Sequence, residues 1–140
     1  YVYVAKIAMG ADQNQTIKAI TEAESYPGPS IIIGYAPCEM HGIRGGMGNA
    51  QEEMKRAVEA GYWFNFRYDP RRKQQGKNPF MLDSKKPTGD YRAFVGNETR
   101  YSRLQLAFPE RAQELLSKAE AQSVERYEYL KMLERFYDEK

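Results

Sequence analysis

The pattern of hydrophobic and polar positions separates an alternating strand–helix part of the chain from a helical part. Residues 2–9 are rich in β-branched and aromatic side chains, which is typical of a β-strand. Asp12 then fits the N-cap of a helix, with Gln15 as its capping-box partner. The run Pro-Gly-Pro at residues 27–29 predicts that this helix ends near Ser25.

A second strand is predicted at residues 31–36, where the sequence Ile-Ile-Ile-Gly-Tyr-Ala is nearly continuously apolar. Such a run is typical of a strand that is buried on both faces of its sheet. The strand, the helix and this second strand together have the length of a βαβ unit. We therefore expect the two strands to pair in parallel, with a right-handed crossover between them.

A glycine-rich loop at residues 37–48 leads into a second predicted helix. Asn49 fits the N-cap of this helix, with Glu52 at the capping-box offset, and Gly61 fits its C-cap. Residues 62–68 are mostly aromatic and are interpreted as a third strand. The first part of the chain is therefore predicted to be α/β, with a partial doubly wound parallel sheet of order βαβαβ.

The remaining pattern predicts a short antiparallel hairpin and then a helical extension. Residues 80–82 form a short strand that pairs with the third strand at the sheet edge, across the polar loop at 69–78. From Asp90 onward the spacing predicts short helices. They are followed by a long amphipathic helix that begins at Pro109 and carries one apolar face.

Composition and charge exclude several classes of protein. Lys plus Arg number 21 and Asp plus Glu number 19, so the formal net charge is +2. This balance argues against a nucleic-acid-binding surface, which is usually strongly basic. No apolar stretch approaches the about 20 residues that cross a bilayer, and no secretory signal is visible. The apolar start at Tyr1, with no Met before it, leads us to expect part of a longer polypeptide.

The single cysteine, Cys38, is the main candidate for chemistry. A lone cysteine excludes an internal disulfide framework and is compatible with a reducing compartment. It follows a predicted parallel strand, and ligands bind at the carboxyl ends of such strands. The residue by itself leaves three interpretations open. It is a buried inert thiol, a nucleophile with His41 as its base, or a cluster ligand whose other ligands come from sequence elsewhere.

Three other features have both a structural and a functional interpretation. Residues 45–49 precede a helix N-terminus and form either an anion site or a tight turn, although their spacing matches neither a Walker loop nor a dinucleotide fingerprint. The paired Glu52 and Glu53 are expected only to stabilise the helix dipole. A basic cluster is interpreted as a solvated edge loop or a contact to another domain. This cluster comprises Arg67, Arg71, Arg72, Lys73 and Lys77.

Several blocks of sequence together resemble one enzyme family. They are residues 1–5, 22–30, 35–38, 41–43, 45–47, 57–63, 66–71, 76–80, 82–85, 100–101 and 108–110. In this order, and along nearly the whole chain, they resemble pyruvate:ferredoxin (flavodoxin) oxidoreductase. The resemblance implies a large homodimeric enzyme that oxidatively decarboxylates pyruvate with coenzyme A to acetyl-CoA and CO₂. It also implies that electrons pass through 4Fe–4S clusters to ferredoxin or flavodoxin.

The resemblance also implies roles for parts of this chain. Residues 1–88 would be the C-terminal half of the thiamine-diphosphate-binding α/β domain, and residues 89–140 its helical extension. The block Tyr-Ala-Pro-Cys at 35–38 places Cys38 as the fourth ligand of the 4Fe–4S cluster nearest the thiamine. The other three cysteines lie upstream, as does the Gly-Asp-Gly…Asn signature that holds Mg²⁺ and the diphosphate. No catalytic residue is expected in this segment.

One departure from the family pattern is Glu39-Met40, where many members have Ile-Asn. A carboxylate beside a cluster makes reduction of the cluster harder through its charge, unless the charge is neutralised or turned away. This departure leaves the assignment of Cys38 unchanged.

We therefore expect a cytoplasmic segment of this oxidoreductase that is inactive alone and binds no thiamine by itself. The expected partners are the upstream domains, a second copy of the enzyme, ferredoxin or flavodoxin, pyruvate and coenzyme A, with no nucleic acid and no membrane. One alternative is a stand-alone α/β binding or scaffold module without catalysis. Another is a related 2-oxoacid oxidoreductase with a different substrate.

Overall fold

A computed structural model describes residues 1–138 of the chain. The strands are β1 (Tyr3–Ile7), β2 (Ser30–Gly34), β3 (Phe66–Tyr68) and β4 (Phe80–Leu82). The helices are α1 (Gln13–Ser25), α2 (Ala50–Glu59), α3 (Arg71–Gln74), α4 (Tyr91–Asn97), α5 (Thr99–Ala107) and α6 (Pro109–Asp138). The α/β class, the hairpin and the long C-terminal helix are confirmed. No helix in residues 1–138 is long and apolar enough to span a membrane.

The first βαβ unit forms as the sequence predicts. β1 and β2 pair in parallel, with Tyr3 opposite Ser30 and Ile7 opposite Gly34. The Asp12 carboxylate accepts a hydrogen bond of 2.8 Å from the backbone N–H of Gln15, so Asp12 caps α1. The reciprocal half of the capping box is wrong. The Gln15 side chain is buried and donates to the Lys6 carbonyl and to Asp83 instead, because it faces the sheet.

The sheet is mixed, with the strand order β2-β1-β3-β4. β3 pairs antiparallel with β1. The prediction that the third strand of the βαβαβ order is parallel is therefore wrong. The indole N–H of Trp63 donates to the carbonyl of Ile7 at 3.0 Å. The chain therefore leaves α2 at the carboxyl end of β1. From there it enters the sheet with Phe66 opposite Lys6 and runs toward the start of β1.

β2 is exposed along its whole length, and its predicted burial on both faces is wrong within the described chain. Ile31, Ile32 and Ile33 are 50%, 37% and 47% exposed. The cause is its position at the edge of the sheet, because within residues 1–138 the only strand that pairs with β2 is β1. Exposed apolar edge strands of this kind are sites where further strands or partners pair.

The core of residues 1–138 consists of three separate hydrophobic clusters. One cluster joins α1 to β1 through Tyr3, Ala5 and Ala19. A second packs Phe64 and Phe80 against Leu130 of α6, which fixes the long helix on the hairpin. The third lies beneath the loop after β2. It contains Ala8, Tyr35, Met54, Ala57, Ala60, Phe94 and Val95.

The helical part follows the predicted pattern closely. α4 contains Phe94 and Val95 as buried residues, and Asp90 caps it by accepting from the backbone N–H of Ala93 at 2.9 Å. α6 begins at Pro109 and has neither Gly nor Pro after that position, which lets it continue unbroken to Asp138. The last two residues of the helical extension predicted at 89–140, residues 139 and 140, lie outside the described residues.

Candidate functional site

Cys38 lies just beyond the carboxyl end of β2. The backbone N–H of Tyr35 donates to the Ile7 carbonyl at 3.0 Å, so the ladder between β1 and β2 continues one residue past Gly34. The carbonyl of Cys38 then accepts from the N–H of Gly42 at 2.8 Å, which closes a tight turn. Gly42 has a φ of 72°, a conformation that glycine adopts without a steric cost. The sequence thus places a thiol in a turn at the end of a parallel strand.

The thiol of Cys38 contacts His41, with 3.0 Å between Sγ and Nδ1. This hydrogen bond lowers the pKa of Cys38, and the backbone of His41 acts in the same direction. Cys38 is only half-buried. The interpretation as a buried inert thiol is therefore wrong, because the thiol is partly accessible and the contact with His41 stabilises its thiolate form. That form is the metal ligand and the nucleophile of cysteine chemistry.

The contacts of His41 do not favour the interpretation of Cys38 as a nucleophile. Catalytic Cys–His pairs are usually completed by a third group that orients the imidazole. In residues 1–138 no side chain other than Cys38 makes a hydrogen bond to His41. The described residues also contain no group of three or more His, Cys, Asp or Glu side chains arranged to hold a metal ion. Within this part of the chain, Cys38 offers one ligand at most.

Residues 45–49 form a tight turn rather than an open cradle. Gly45 and Gly46 both have a φ of 85°, and a short 3-10 turn at Met47–Asn49 leads into α2. Asn49 stands at the N-cap position of α2, but its amide donates to the Gly45 carbonyl at 3.0 Å and makes no cap. Two carboxylates occupy the first turn of α2. Their charge opposes an anion there, so the arrangement favours the turn interpretation.

The loop that carries Cys38 is fastened to the junction between α4 and α5. Ile43 and Glu98 form an antiparallel backbone bridge. On either side, the N–H of Arg44 donates to the Asn97 carbonyl at 3.0 Å, and the N–H of Thr99 donates to the Gly42 carbonyl at 3.3 Å. The helical part of the chain therefore holds the far end of this loop.

The near end of the loop is held through Tyr35. Its hydroxyl donates to a carboxylate oxygen of Glu98, whose side chain is fully buried. Burial and this hydrogen bond raise the pKa of Tyr35. Arg100 lies beside the same carboxylate, with Nε 3.2 Å from Oε2. The cation offsets part of the cost of burying the Glu98 charge, although Oε2 of Glu98 and Nε of Arg100 are not aligned for a hydrogen bond.

Aromatic rings surround Tyr35, which donates to this carboxylate. The rings of Tyr62, Trp63 and Phe94 pack within 5.7–6.4 Å of the ring of Tyr35, measured between centroids. The Tyr62 hydroxyl lies 2.7 Å from that of Tyr101 and accepts from Arg100 at 2.9 Å. The aromatic segment at 62–68 therefore packs into the core, and of the predicted strand only residues 66–68 form one.

Glu53 has more than the helix-dipole role predicted for it. Its side chain is 1% exposed, and its Oε2 accepts from the Asn97 amide at 2.7 Å. Its other oxygen has no hydrogen-bond partner among the described residues. Burial raises the pKa of Glu53, and the nearby charge of Glu98 adds to this effect, while the Asn97 hydrogen bond opposes it. Through this hydrogen bond to Asn97, Glu53 of α2 holds the same α4–α5 junction.

The predicted basic cluster does not form a solvated surface. Arg67 is buried and pairs with Glu22 at 2.7 Å and with Asp83 at 2.8 Å. Arg71 pairs with Asp69 at 2.8 Å and also donates to the Ser25 carbonyl at 3.0 Å. Of the cluster, only Lys73 and Lys77 are exposed. The interpretation as a solvated loop is wrong for Arg67, because its acidic partners Glu22 and Asp83 lie 45 and 16 positions away in the sequence.

Sequence reasoning did not identify Glu98 as part of the site, and it named Tyr35 only within the Tyr-Ala-Pro-Cys block. The available signal for Glu98 was weak. A carboxylate between two predicted short helices is ordinarily a solvated cap residue. Only the fold brings it under the loop after β2.

Comparison with curated proteins finds relatives that are named as pyruvate oxidoreductases or as a pyruvate dehydrogenase. The chain is 59% identical over 133 residues to a pyruvate-flavodoxin oxidoreductase from Enterobacter agglomerans, and this match covers 95% of the chain. It is 54% identical, over the same share of the chain, to a pyruvate:ferredoxin oxidoreductase from Moorella thermoacetica. A mitochondrial pyruvate dehydrogenase [NADP(+)] from Euglena gracilis is 43% identical over 134 residues. No protein-family model matches the chain.

These matches confirm the resemblance and define its extent. The chain spans 11% of the length of the Enterobacter and Moorella relatives and 7% of that of the Euglena relative. It is therefore homologous, along nearly its whole length, to one segment of much larger pyruvate oxidoreductases.

Proposed function

We propose that this chain is the segment of a pyruvate:ferredoxin or pyruvate:flavodoxin oxidoreductase that supplies one thiolate, Cys38, to a 4Fe–4S cluster. The observation that carries the proposal is the environment of Cys38. Its thiol is half-buried at the carboxyl end of a parallel strand, and its pKa is lowered by His41. The relatives' names supply the class of reaction.

The donor set fits one corner of such a cluster. A 4Fe–4S cluster is usually bound by four thiolates, and this sequence has one cysteine. The remaining three thiolates would come from other parts of the polypeptide. The small share of the relatives that the chain spans supports this arrangement. When bound, the cluster supplies one-electron transfer.

The residues of this chain would then hold and tune the ligand. The turn closed by Gly42 fixes the backbone of Cys38, and the α4–α5 junction fixes the loop. A hydrogen bond from His41 to the sulfur withdraws charge from it, which favours the reduced state of a cluster bound there. Glu39 is exposed, so its charge lies in water and is screened.

The catalytic groups of the reaction are proposed to lie outside this sequence. The Gly-Asp-Gly signature that holds Mg²⁺ and thiamine diphosphate in the family is not found in this chain. We assign no catalytic residue here. Residues 1–88 are proposed to be the C-terminal half of the thiamine-diphosphate domain, and residues 89–140 its helical extension.

The proposed partners follow from the exposed edge of the sheet and from the names of the relatives. The rest of the polypeptide would cover β2, whose isoleucines are exposed. We further propose a homodimer located in the cytoplasm, pyruvate and coenzyme A as substrates, and ferredoxin or flavodoxin as the electron acceptor.

The test is Cys38→Ala in the full polypeptide that contains this segment, purified without oxygen. We expect the iron content to fall by one cluster and the corresponding EPR signal to be lost, while bound thiamine is retained. Met40→Ala is the matched control, because Met40 is 92% exposed in the same turn. An unchanged cluster count in Cys38→Ala would refute the assignment.

The same preparation distinguishes the alternatives. Absence of iron and thiamine from the unmodified polypeptide would favour a binding or scaffold module. Reduction of a ferredoxin with another 2-oxoacid, but not with pyruvate, would favour a related oxidoreductase.

A further inference from the structure

The loop that carries Cys38 is held at both of its ends by one residue that lies sixty positions away along the chain. At the near end, the hydroxyl of Tyr35 donates to the carboxylate of Glu98. At the far end, the backbone of Glu98 forms the bridge with Ile43. Cys38 and His41 lie between these two points.

The neighbours of Glu98 strengthen the attachment. Arg44 and Gly42 bond to the residues on either side of Glu98, at 3.0 Å and 3.3 Å. Asn97, the residue before it, is in turn anchored to the buried carboxylate of Glu53 at 2.7 Å. These contacts join the loop to α2 and to the α4–α5 junction.

We propose that Tyr35 and Glu98 are positioning residues for Cys38, and that their contact clamps the loop so that the thiol and the imidazole of His41 are held together. What Cys38 binds rests on the proposed function. The clamp itself is a property of the described residues.

The cost of burying Glu98 supports a specific role. Its side chain is 0% exposed, and a carboxylate buried to this degree destabilises a fold unless it is paired. An apolar residue at position 98 would be buried at lower cost, but it would offer no acceptor for the Tyr35 hydroxyl. The carboxylate thus fixes one rotamer of Tyr35, and with it the start of the loop.

The chain contains a matched control at the other end of the sheet. Tyr3, like Tyr35, is buried and donates to a carboxylate, that of Glu22, at 2.9 Å, and this carboxylate pairs with Arg67 at 2.7 Å. The chemistry is that of Tyr35, Glu98 and Arg100. Tyr3, however, lies at the start of β1, opposite Ser30 and away from the end of β2.

The test is hydrogen–deuterium exchange of the full chain, followed by mass spectrometry of peptides that cover residues 38–46. Tyr35→Phe removes one hydroxyl, and we expect the amides of Gly42 and Arg44 to exchange about tenfold faster. Tyr3→Phe removes the equivalent hydroxyl and is expected to leave these amides unchanged. Equal exchange in Tyr35→Phe and the unmodified chain, or an equal increase in Tyr3→Phe, would overturn the clamp.

Glu98→Gln provides a second route to the same answer. The amide keeps the shape of the side chain and can still accept from Tyr35, but it loses the attraction to Arg100. We expect a smaller increase in exchange than in Tyr35→Phe, and an effect in the double variant that is less than additive. Additive effects would show that the two residues act separately, and they would contradict the proposal.

The outcomes separate this inference from the proposed function. Fast loop exchange in Tyr35→Phe, together with an unchanged cluster count in Cys38→Ala, would support the clamp and contradict the cluster assignment. Unchanged loop exchange in Tyr35→Phe, together with the loss of one cluster in Cys38→Ala, would contradict the clamp alone.

Discussion

Arg67 forms a bidentate pair with Asp83 in the interior of the chain. Its Nε lies 2.9 Å from Oδ2 and its Nη2 lies 2.8 Å from Oδ1 of the carboxylate. The third nitrogen, Nη1, donates to Glu22 at 2.7 Å. These hydrogen bonds raise the pKa of Arg67 although its burial opposes the charge. One cation of β3 thus ties α1 to the segment that follows β4.

Removal of Arg67 is expected to be severely destabilising. Arg67→Ala leaves the carboxylates of Glu22 and Asp83 without their cation, and breaking a buried ion pair in this way costs about 3–5 kcal/mol. Urea unfolding followed by circular dichroism measures the loss. Arg92→Ala is the control, since the pair of Arg92 with Glu120 is 41% and 40% exposed and contributes about 0–1 kcal/mol. Similar losses in both variants would contradict this prediction.

Lys6 predicts a dependence of stability on pH. Its pKa is lowered from 10.5 to about 8, chiefly by burial and to a smaller extent by Arg126. Above about pH 8 the unfolded chain still binds the proton that the folded chain has released. The free energy of unfolding therefore rises as the pH rises, up to the pKa of the unfolded chain.

The measurement is urea unfolding at intervals from about pH 7 to about pH 9, below the pKa of about 10 at which unperturbed tyrosines ionise. Lys6→Met should remove the rise, whereas Lys18→Met, on the exposed face of α1, should retain it. A rise that persists in Lys6→Met would assign the effect to another group.

Gly61 is expected to resist substitution. Its φ is 75°, and a Cβ there would lie 2.8 Å from Cγ of Pro87 and 2.9 Å from Oγ of Ser123. Gly61→Ala should therefore lower the free energy of unfolding by more than about 1 kcal/mol. Gly96→Ala, within α4 and in open space, should instead raise it by about 0.4–1 kcal/mol. Thermal unfolding of the two variants checks the opposite signs.

The contact between Cys38 and His41 predicts a shift in thiol reactivity. His41→Ala removes the hydrogen bond that lowers the pKa of Cys38, so the pH at which alkylation is half-maximal should move upward. Iodoacetamide labelling of the 140-residue chain across a pH series measures it. Cys38 is the one cysteine of the sequence, so the label reports on this thiol alone. An unshifted profile would mean that the contact with His41 does not form in solution.

The exposed edge of β2 predicts self-association of the chain when it is prepared alone. Three exposed isoleucines on an edge strand favour pairing with a second copy. Ile32→Lys should reduce the apparent mass in light scattering, because a charge on an edge strand opposes pairing. Ile17→Lys, at an exposed position of α1, is the control. A monomer in the unmodified chain would show that the edge is protected.

Local signals in the sequence predicted the elements well. The Asp12 cap, the Pro27-Gly28-Pro29 stop and the Pro109 start each act within a few residues, and each is where the sequence predicts it. The direction of β3 could not be predicted in this way, because it depends on where α2 delivers the chain relative to β1. The prediction that β2 is buried was also wrong. The apolar sequence of a strand does not reveal whether the strands or helices that cover it belong to the same stretch of sequence.

The sequence by itself determined the order of elements, the position of Cys38 after a parallel strand and the resemblance to the oxidoreductases, because these depend on local pattern and composition. Only the tertiary structure decided which charges are buried together. Glu98 meets Tyr35 across 63 positions and Arg67 meets Glu22 across 45. Such pairings carry no local signal, because a carboxylate and its partner lose their water only when the packed chain brings them together.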